Sequence, residues 1–288
     1  MINRENTPLV SIILPMFNAE STITECLDSI VGQTYRNFEI IVIDDGSTDN
    51  SADIVKNYND SRIKLYRYKH DYIGNLNRAF SHCSGKYLAR MDADDKMLPT
   101  RLEKQVAVLE NNPDVSICCS MMKILGKESP NNFGHNGIYT YLKVALLRGN
   151  FLLHPTIMMR RELLDLGIKY KKSYIYAEDY KLWTELALMD VTFYNIPEPL
   201  VEYRLSDNQV SHIYHEQQVM TAWLIRQELL ETLIRCTSLP LQKKIKKLYH
   251  IMLEMNQEGL VPPKDLYSLF ASIFLNLAKK GELQLTRI

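Results

Sequence analysis

The chain has 288 residues, 46% of them hydrophobic and 24% charged, and its 34 basic and 34 acidic side chains give a formal net charge of zero. This composition is ordinary for a soluble globular protein, and the neutral balance excludes the basic field expected of a nucleic-acid-binding protein. The five cysteines are odd in number and form no CxxC pair, which favours core thiols in a reducing compartment over a disulfide framework or a zinc site. Residues 1–8 lack a signal-peptide pattern and no apolar run is long enough to span a bilayer, so the sequence predicts a cytoplasmic protein.

The first 125 residues alternate between strand and helix signals. Short apolar runs predict strands at residues 10–14, 38–43, 63–68, 87–91 and 115–121. Amphipathic patterns predict helices at residues 20–33, 51–58, 73–83 and 99–110. This alternation predicts right-handed crossovers and an α/β fold with a mostly parallel sheet flanked by helices, in which ligands bind beyond the carboxyl ends of the strands.

The rest of the chain is less regular. A loop rich in Asn, Gly and Pro is predicted at 127–137, helices at 139–148 and 178–189, and strands at 156–159 and 191–195. After about residue 212 only helical patterns remain, at 216–236, 241–258 and 264–280. We therefore place a boundary near residue 212 and expect a C-terminal helical extension over 213–288.

An acidic segment, Asp92-Ala93-Asp94-Asp95, directly follows the fourth predicted strand. Acidic loop residues are usually only solvated, but three carboxylates at a strand end repel one another unless a cation is present. A hard divalent ion with oxygen ligands, Mg²⁺ or Mn²⁺, fits them. Such an ion would offset the charge that grows on a departing diphosphate.

A second acidic segment, Asp44-Asp45-Gly46-Ser47-Thr48-Asp49, ends the second predicted strand. A turn with a helix cap explains Ser47, Thr48 and Asp49. It does not explain two acids at the end of a buried strand. A carboxylate there can accept the N–H of a uracil or thymine ring, which predicts a pyrimidine-nucleotide site at Asp45.

Five segments lie in a specific order across about residues 8–211. They are VSIILPMFN at 10–18, LDSI followed by QTY at 27–35, the strand and loop at 38–49, GKY at 85–87 with DADD at 92–95, and ED at 178–179 with Trp183. Together they resemble family 2 of the inverting glycosyltransferases. The resemblance implies the GT-A fold in one domain over 8–212, with a nucleotide half at about 8–125 and an acceptor half at about 126–212, and it implies inversion at the transferred sugar carbon.

The resemblance also implies roles for individual residues toward a nucleotide-sugar donor, which we expect to be UDP-linked. By this resemblance, the base and ribose would be contacted by four residues: Pro15, Phe17, Asn18 and Asp45. Asp92 would contact the ribose or the metal, and Asp94 would be the principal ligand of Mn²⁺ or Mg²⁺. Further donor-binding candidates are Glu20, Arg78 and Arg204, the last as a diphosphate ligand.

Glu178 and Asp179 open a predicted helix after a loop. Acidic residues in a first helical turn are common because they complement the helix dipole. An inverting transfer, however, needs one base to take the acceptor hydroxyl proton, and neighbouring helix positions point about 100° apart, so only one of the two can face the sugar. The family pattern assigns that role to Asp179.

Three residues are weaker site candidates beside Glu178. Asp95 adjoins the expected metal ligands. His154 lies in a segment, His154-Pro155-Thr156, that resembles an acceptor-lining segment of the family, although a lone histidine is more often structural. Many relatives have histidine near position 206, where this chain has Ser206, so a histidine contact to the leaving group is expected here only if His212 substitutes for it.

The expected acceptor is a hydroxyl of a glycan or of a lipid-linked sugar in cell-surface polysaccharide synthesis. The QxxRW motif and membrane helices of processive synthases are not found in the sequence, which favours a single-addition enzyme. Four lysines at 243, 244, 246 and 247 form either a solvated face or a peripheral contact with anionic membrane. Self-association into a homo-oligomer stays open.

Two other functions stay open beside the transferase. A sugar-1-phosphate nucleotidyltransferase has a similar sheet and metal site, but its first loop would need glycines and a basic residue, which residues 16–20 lack. A non-catalytic nucleotide-sugar-binding subunit should have lost the base or the metal aspartates, which this chain keeps.

Overall fold

The structure is a computed structural model that describes residues 7–127, 135–206 and 213–283. It divides into two compact units. Unit 1 comprises Met1–Tyr139, Leu152–Ser173 and Thr192–His212, and unit 2 comprises Thr140–Phe151, Tyr174–Val191 and Ile213–Ile288. The segment predicted as an acceptor half is therefore divided between the two units, and the C-terminal extension shares its unit with two earlier segments.

The N-terminal half of unit 1 is a parallel sheet in the order β3-β2-β1-β4. Its strands are β1 Val10–Met16, β2 Phe38–Asp44, β3 Ile63–Arg67 and β4 Tyr87–Arg90, and the helices that join them are α1 Ile23–Val31, α2 Ser51–Asn57 and α3 Tyr72–His82. The predicted strand–helix alternation is confirmed here. The strands β1 and β2 could be recognised from the sequence because their side chains are mostly apolar and almost all of them are buried.

A close approach between β1 and the start of β4 explains the glycine of the GKY segment. A Cβ atom at Gly85 would lie 2.6 Å from the Ser11 backbone nitrogen, and the Gly85 N–H donates to the Ser11 hydroxyl at 2.8 Å. Only glycine fits this position without moving the backbone.

The second half of the sheet pairs in both directions. It contains β5 Lys96–Met97, β6 Ile117–Ile124, β7 Gly137–Ile138, β8 Met158–Arg160 and β9 Phe193–Tyr203, with helix α4 Arg101–Asn111 before β6. Strand β8 lies antiparallel between β4 and β6, while β6 and β9 are parallel. The α/β fold with a central sheet flanked by helices is thus confirmed, but the sheet is wholly parallel only in its first four strands.

Unit 2 contains all the remaining α-helices that the described ranges hold. They are α5 Leu142–Ala145, α6 Glu178–Leu188, α7 His215–Arg235, α8 Leu239–Gln257 and α9 Pro263–Lys279. The three predicted C-terminal helices are present, and their apolar stripes supply the buried core of this unit, including Leu230, Leu233, Phe270 and Phe274. Helix α6 is tied to α7 by an ion pair of 2.7 Å between Lys181 and Glu228. Among the described helices, none has the length and apolar character that a membrane crossing requires.

Candidate active site

The loops after β1 and β2 are held together at the carboxyl edge of the parallel sheet. Asn18 adopts a left-handed backbone (φ 48°), and its side-chain oxygen accepts the Thr48 N–H at 2.9 Å. The Glu20 carboxylate accepts the Asn50 N–H at 3.0 Å. In this structure, therefore, the side chains of two predicted donor-binding residues, Asn18 and Glu20, hold the β2 loop in place.

Pro15 and Phe17 bracket the end of β1. Pro15 is half-buried beside Ile43 of β2, whereas the Phe17 side chain is 50% exposed. The Phe17 ring lies 4.9 Å, centroid to centroid, from the ring of His70. An exposed aromatic face at this edge is suited to pack against a planar base.

The two acids that end β2 have different surroundings. The fully buried Asp44 carboxylate accepts the Ser47 N–H at 2.9 Å and pairs with the Arg67 guanidinium at 2.8 Å. Asp44 therefore holds the turn, in which Gly46 has a φ of 85° that favours glycine. The turn explains Asp44, and it leaves Asp45 as the acid that a base can contact.

Asp45 is buried and has partners on both carboxylate oxygens. Its Oδ1 accepts the Asp71 N–H at 2.7 Å and the side-chain amide of Asn75, and its Oδ2 lies 2.8 Å from His70 Nδ1. The His70 side chain is 66% exposed, so it is the partner that an incoming base can replace. His70 was missed by sequence reasoning because a histidine after a strand carries no signal of its own.

Arg78 lies near the same carboxylate through one intermediate. Its guanidinium donates to the side-chain oxygen of Asn75, and the side-chain nitrogen of Asn75 donates to Asp45 Oδ1. The Arg78 guanidinium also lies 5.1 Å from the centre of the Tyr68 ring. Arg78 is exposed, so it supplies positive charge at the rim of the Asp45 site.

Asp92 is paired with an arginine that sequence reasoning missed. Arg90 Nη2 lies 2.6 Å from Asp92 Oδ1, and the Arg90 side chain is only 7% exposed. Among the described residues, Arg90 Nε has no hydrogen-bond partner. The signal that could have identified Arg90 is a charged residue inside the buried strand β4, because such a charge requires a partner.

Asp94 and Asp95 lie in a site that disfavours negative charge. Burial raises the pKa of Asp94, and the Asp92 carboxylate raises it further. The same two causes, in the same order, raise the pKa of Asp95 to about 8. Asp95 Oδ1 accepts the Arg204 N–H at 2.9 Å, while the buried Asp95 Oδ2 has no partner in the described part of the chain.

The described residues form no cluster of three or more His, Cys, Asp or Glu side chains that could hold a metal ion. Magnesium in nucleotide sites is usually bound by one or two carboxylates together with substrate phosphates, so a complete protein cage is not expected. A half-buried Asp94, with the unpartnered oxygen of Asp95 beside it, fits that mode of binding.

Arg204 contacts the acidic loop directly. Its Nε donates to the Asp94 carbonyl at 2.9 Å, and its Nη2 forms an ion pair with Glu25. The arginine thus holds the loop that carries the aspartates. His212, together with Asn208 and Ser211 near it, lies outside the described residues.

His154 is held by Tyr170 within unit 1. The distance from His154 Nε2 to the Tyr170 hydroxyl is 2.8 Å. Burial, reinforced by the nearby Arg90 guanidinium, holds the pKa of His154 well below its usual range. A neutral, hydrogen-bonded histidine is consistent with the structural role that a lone histidine most often has.

In unit 2, Glu178 and Asp179 begin α6 as predicted. Asp179 Oδ2 accepts from the Asn150 side chain at 2.8 Å, and its Oδ1 accepts the Tyr180 N–H at 2.6 Å. Glu178 is only 7% exposed, whereas Asp179 is half-buried. Of the two carboxylates, Asp179 is therefore the more accessible to a substrate.

Comparison with known proteins identifies the family. The sequence model of "Glycosyl transferase family 2" matches residues 11–167, more than half of the chain. The chain belongs to glycosyl transferase family 2. An uncharacterized glycosyltransferase of Haemophilus influenzae is 38% identical over 243 residues, which cover 78% of this chain and 74% of that protein.

Two further similar proteins bear on substrate and fold. The Escherichia coli enzyme UDP-Glc:alpha-D-GlcNAc-diphosphoundecaprenol beta-1,3-glucosyltransferase WfgD is 34% identical over 208 residues, covering 70% of this chain and 79% of its own length. The mannosyltransferase PcManGT from Pyrobaculum calidifontis, solved in complex with GDP-Man and Mn²⁺, superposes with a TM-score of 0.61 at 18% identity, covering 96% of this chain and 87% of that one. The family 2 protein is thus a glycosyltransferase with the fold of this structural neighbour, and the nucleotidyltransferase alternative is not supported.

Proposed function

We propose that this family 2 enzyme transfers a sugar, with inversion and with the aid of a divalent metal ion, from a UDP-linked donor to a hydroxyl of a glycan or lipid-linked acceptor in cell-surface glycan synthesis. The observation that carries this proposal is the Asp92–Asp95 loop. In this loop a half-buried Asp94 lies between Asp92 and Asp95 in the sequence, just after β4 at the carboxyl edge of the parallel sheet. The relative that uses UDP-Glc and a diphosphoundecaprenol-linked sugar supports the donor and the acceptor class.

The base of the donor would lie at the β1–β2 edge of unit 1. Phe17 offers an exposed ring, and the Asp45 carboxylate offers an acceptor for a pyrimidine N–H once His70 moves aside. Arg78 at the rim adds positive charge near the phosphates. The proposed preference is for UDP, whereas the structural neighbour from Pyrobaculum calidifontis binds GDP-Man.

Asp94 would hold the metal ion, and Asp92 would contact the ribose or the metal. When bound, the ion supplies positive charge that offsets the negative charge on the diphosphate leaving group. Arg90 fixes Asp92 by a 2.6 Å ion pair, and Arg204 fixes the loop through the Asp94 carbonyl and the Asp95 carboxylate. These contacts orient the aspartates before the donor arrives.

The chemical step would use Asp179 as the general base. The Asp179 carboxylate takes the proton of the acceptor hydroxyl while the acceptor oxygen bonds to the anomeric carbon. The bond from that carbon to the diphosphate breaks on the opposite face, and its electron pair leaves with the nucleoside diphosphate. Asn150 and the Tyr180 N–H hold the two oxygens of Asp179, which keeps the carboxylate in one orientation.

The metal requirement is tested by calorimetry of UDP binding with Mn²⁺, with excess chelator and with Asp94→Ala. We expect binding in Mn²⁺ and its loss both in chelator and in the variant, because the diphosphate then lacks its counter-charge. Asp53→Ala removes an exposed carboxylate from α2 of the same unit and should bind normally. Full affinity in chelator or in Asp94→Ala would contradict the metal role.

A further inference from the structure

Two tyrosines of unit 2 form a stacked pair beside α6. The ring centroids of Tyr176 and Tyr214 are 4.3 Å apart, and the ring planes differ by 9°. Tyr176 precedes Asp179 by three residues, and Tyr214 directly precedes α7. We refer to these two residues as the tyrosine pair.

The backbone at Tyr176 is held in an uncommon conformation. Its φ of 68° lies in the left-handed region, which bulky residues rarely adopt and which tends to occur at functional sites. The next residue is Ala177, whose backbone N–H donates to the Tyr174 carbonyl at 3.1 Å. The chain therefore maintains an uncommon backbone conformation three residues before the proposed base.

Gln218 forms hydrogen bonds to the backbone of both members of the tyrosine pair. The Gln218 backbone N–H donates to the Tyr214 carbonyl at 2.9 Å, in the first turn of α7. The Gln218 side-chain amide donates to the Tyr176 carbonyl, also at 2.9 Å. The same glutamine thus connects the two backbone segments that carry the stacked rings.

The tyrosine pair is not part of the hydrophobic core. Tyr214 is 37% exposed and Tyr176 is half-buried, whereas Tyr180, one turn further along, is 1% exposed. Core packing therefore does not explain why the left-handed backbone at Tyr176 is maintained. A partly exposed aromatic surface three residues before Asp179 in the sequence is suited to bind a ligand with a flat apolar face and a hydroxyl.

We propose that the tyrosine pair is a platform for the pyranose ring of the acceptor sugar. The C–H face of a pyranose carries slight positive charge and packs on the negative face of an aromatic ring. A ring held there has its orientation restricted near Asp179, which favours proton transfer from one hydroxyl. This inference rests on the proposed function, because it takes Asp179 as the base.

The test uses methyl N-acetyl-α-D-glucosaminide as a probe of the acceptor site, with its affinity measured by saturation-transfer NMR. We expect the wild-type protein to bind the probe, and Tyr214→Ala to weaken binding by about 3–10-fold, the effect of one lost aromatic contact. Tyr214→Phe should restore affinity to within about twofold, since it keeps the ring. Should Tyr214→Ala fail to fold, Tyr214→Leu keeps apolar bulk without the ring and should show the same loss.

A matched control is available in the same unit. Tyr141 has a left-handed backbone (φ 58°) and is 38% exposed, close to the values of the tyrosine pair, yet it lies at the start of α5. Tyr141→Ala should leave probe binding unchanged. Equal weakening by Tyr141→Ala and Tyr214→Ala would overturn the platform, as would unchanged binding in Tyr214→Ala or no binding by wild type.

The failure of this inference can be told apart from the failure of the proposed function. UDP affinity and UDP release from donor sugars report on the proposed function and should not change in Tyr141→Ala. If wild type turns over a donor but Tyr214→Ala binds the probe normally, only the platform is wrong. If no donor is turned over but the probe still depends on Tyr214, the sugar platform stands and the transferase role of Asp179 falls.

Discussion

Asp44 and Asp45 are adjacent in sequence, but their side chains have different partners in the structure. Asp44 closes the turn through Ser47 and pairs with Arg67, while Asp45 has an exposed histidine on one of its oxygens. This difference makes the neighbouring pair an internal comparison between a structural acid and the acid that we propose binds the base.

We predict that Asp45→Asn weakens UDP binding by about 1–3 kcal/mol, because an amide replaces a charge-assisted acceptor and leaves groups mispaired. Calorimetry with UDP measures the change, and thermal unfolding should show an intact fold. Asp44→Asn is the matched control, and it should lower stability more than affinity. Unchanged UDP affinity in Asp45→Asn would mean that Asp45 only supports the turn, and tighter binding of GDP than UDP would overturn the pyrimidine preference.

At the residue scale, the sequence predicted the acidic residues of the candidate site but not all of the residues that contact them. The acids at 92–95 and 178–179 are visible because clustered carboxylates at the ends of strands and helices stand out from the apolar pattern around them. Arg90 and His70 were missed because their importance depends on contacts with Asp92 and Asp45 that only the folded chain brings about. Asn18 and Glu20 were assigned to the donor, yet their side chains hold the neighbouring loop.

At the element scale, helix α8 carries the four clustered lysines of the C-terminal extension. Lys243, Lys244, Lys246 and Lys247 are all exposed, and Ile245 between them is buried. At about 100° per residue the lysines fall within an arc of about 160° opposite Ile245. They therefore form one basic face, suited to anionic lipid at about 1 kcal/mol per charge.

We predict that changing the four lysines to glutamine reduces sedimentation of the protein with anionic liposomes at low salt. Activity on a soluble acceptor analogue should barely change, because the lysines lie outside the proposed site. A variant with Lys56, Lys86, Lys104 and Lys127 of unit 1 changed to glutamine removes the same charge and should bind liposomes as wild type does. If wild type does not sediment with such liposomes, the basic face is only solvated.

Elements were predictable where one pattern persisted over a whole segment. The strands β1 to β4 and the helices between them follow from apolar runs and amphipathic stripes. Strand β9 extends to Tyr203, although the sequence predicted that it ends near residue 195. The extension was missed because Pro197 and Pro199 interrupt the strand pattern; in the structure they lie near register shifts between β9 and β6. The antiparallel position of β8 depends on long-range pairing that a three-residue strand cannot signal.

At the scale of the whole molecule, a buried carboxylate links the strands of the parallel sheet. Glu39 of β2 accepts from Ser11 of β1 at 2.6 Å, from Lys64 of β3 at 2.7 Å and from the Ser84 N–H at 2.8 Å. Burial alone would raise the pKa of Glu39, but these donors outweigh it and lower the pKa from 4.5 to about 2. Its stabilisation is therefore complete above about pH 4.5 and is lost as the pH falls toward 2.

We predict that Glu39→Gln lowers the free energy of unfolding by about 1–3 kcal/mol at pH 7, because a buried charge-assisted network loses its acceptor. The difference from wild type should shrink between pH 4.5 and 2. Urea unfolding at pH 7 and pH 3 measures both quantities, with Glu162→Gln, at a carboxylate that is 70% exposed, as control. A difference that does not depend on pH would contradict the assigned role of the ionised Glu39.

The division of the molecule into units was not apparent from the sequence. The boundary near residue 212 rested on the end of the strand signals, whereas α5 and α6 are grouped with the C-terminal helices by contacts between distant segments. One example is the 2.7 Å pair between Lys181 and Glu228, 47 residues apart. Sequence patterns report local periodicity and cannot show such contacts.

The measurement that tests the central claim most directly compares sugar transfer and donor binding in Asp179→Asn. With Mn²⁺ and a UDP-sugar that wild type uses, we predict that the variant binds UDP as wild type does but transfers sugar about 10²–10⁴-fold more slowly, the usual effect of losing a positioned general base. Glu178→Gln, which changes the buried neighbour, should lose less. Near-normal transfer by Asp179→Asn would contradict the account, and loss in Glu178→Gln alone would move the base to the adjacent residue.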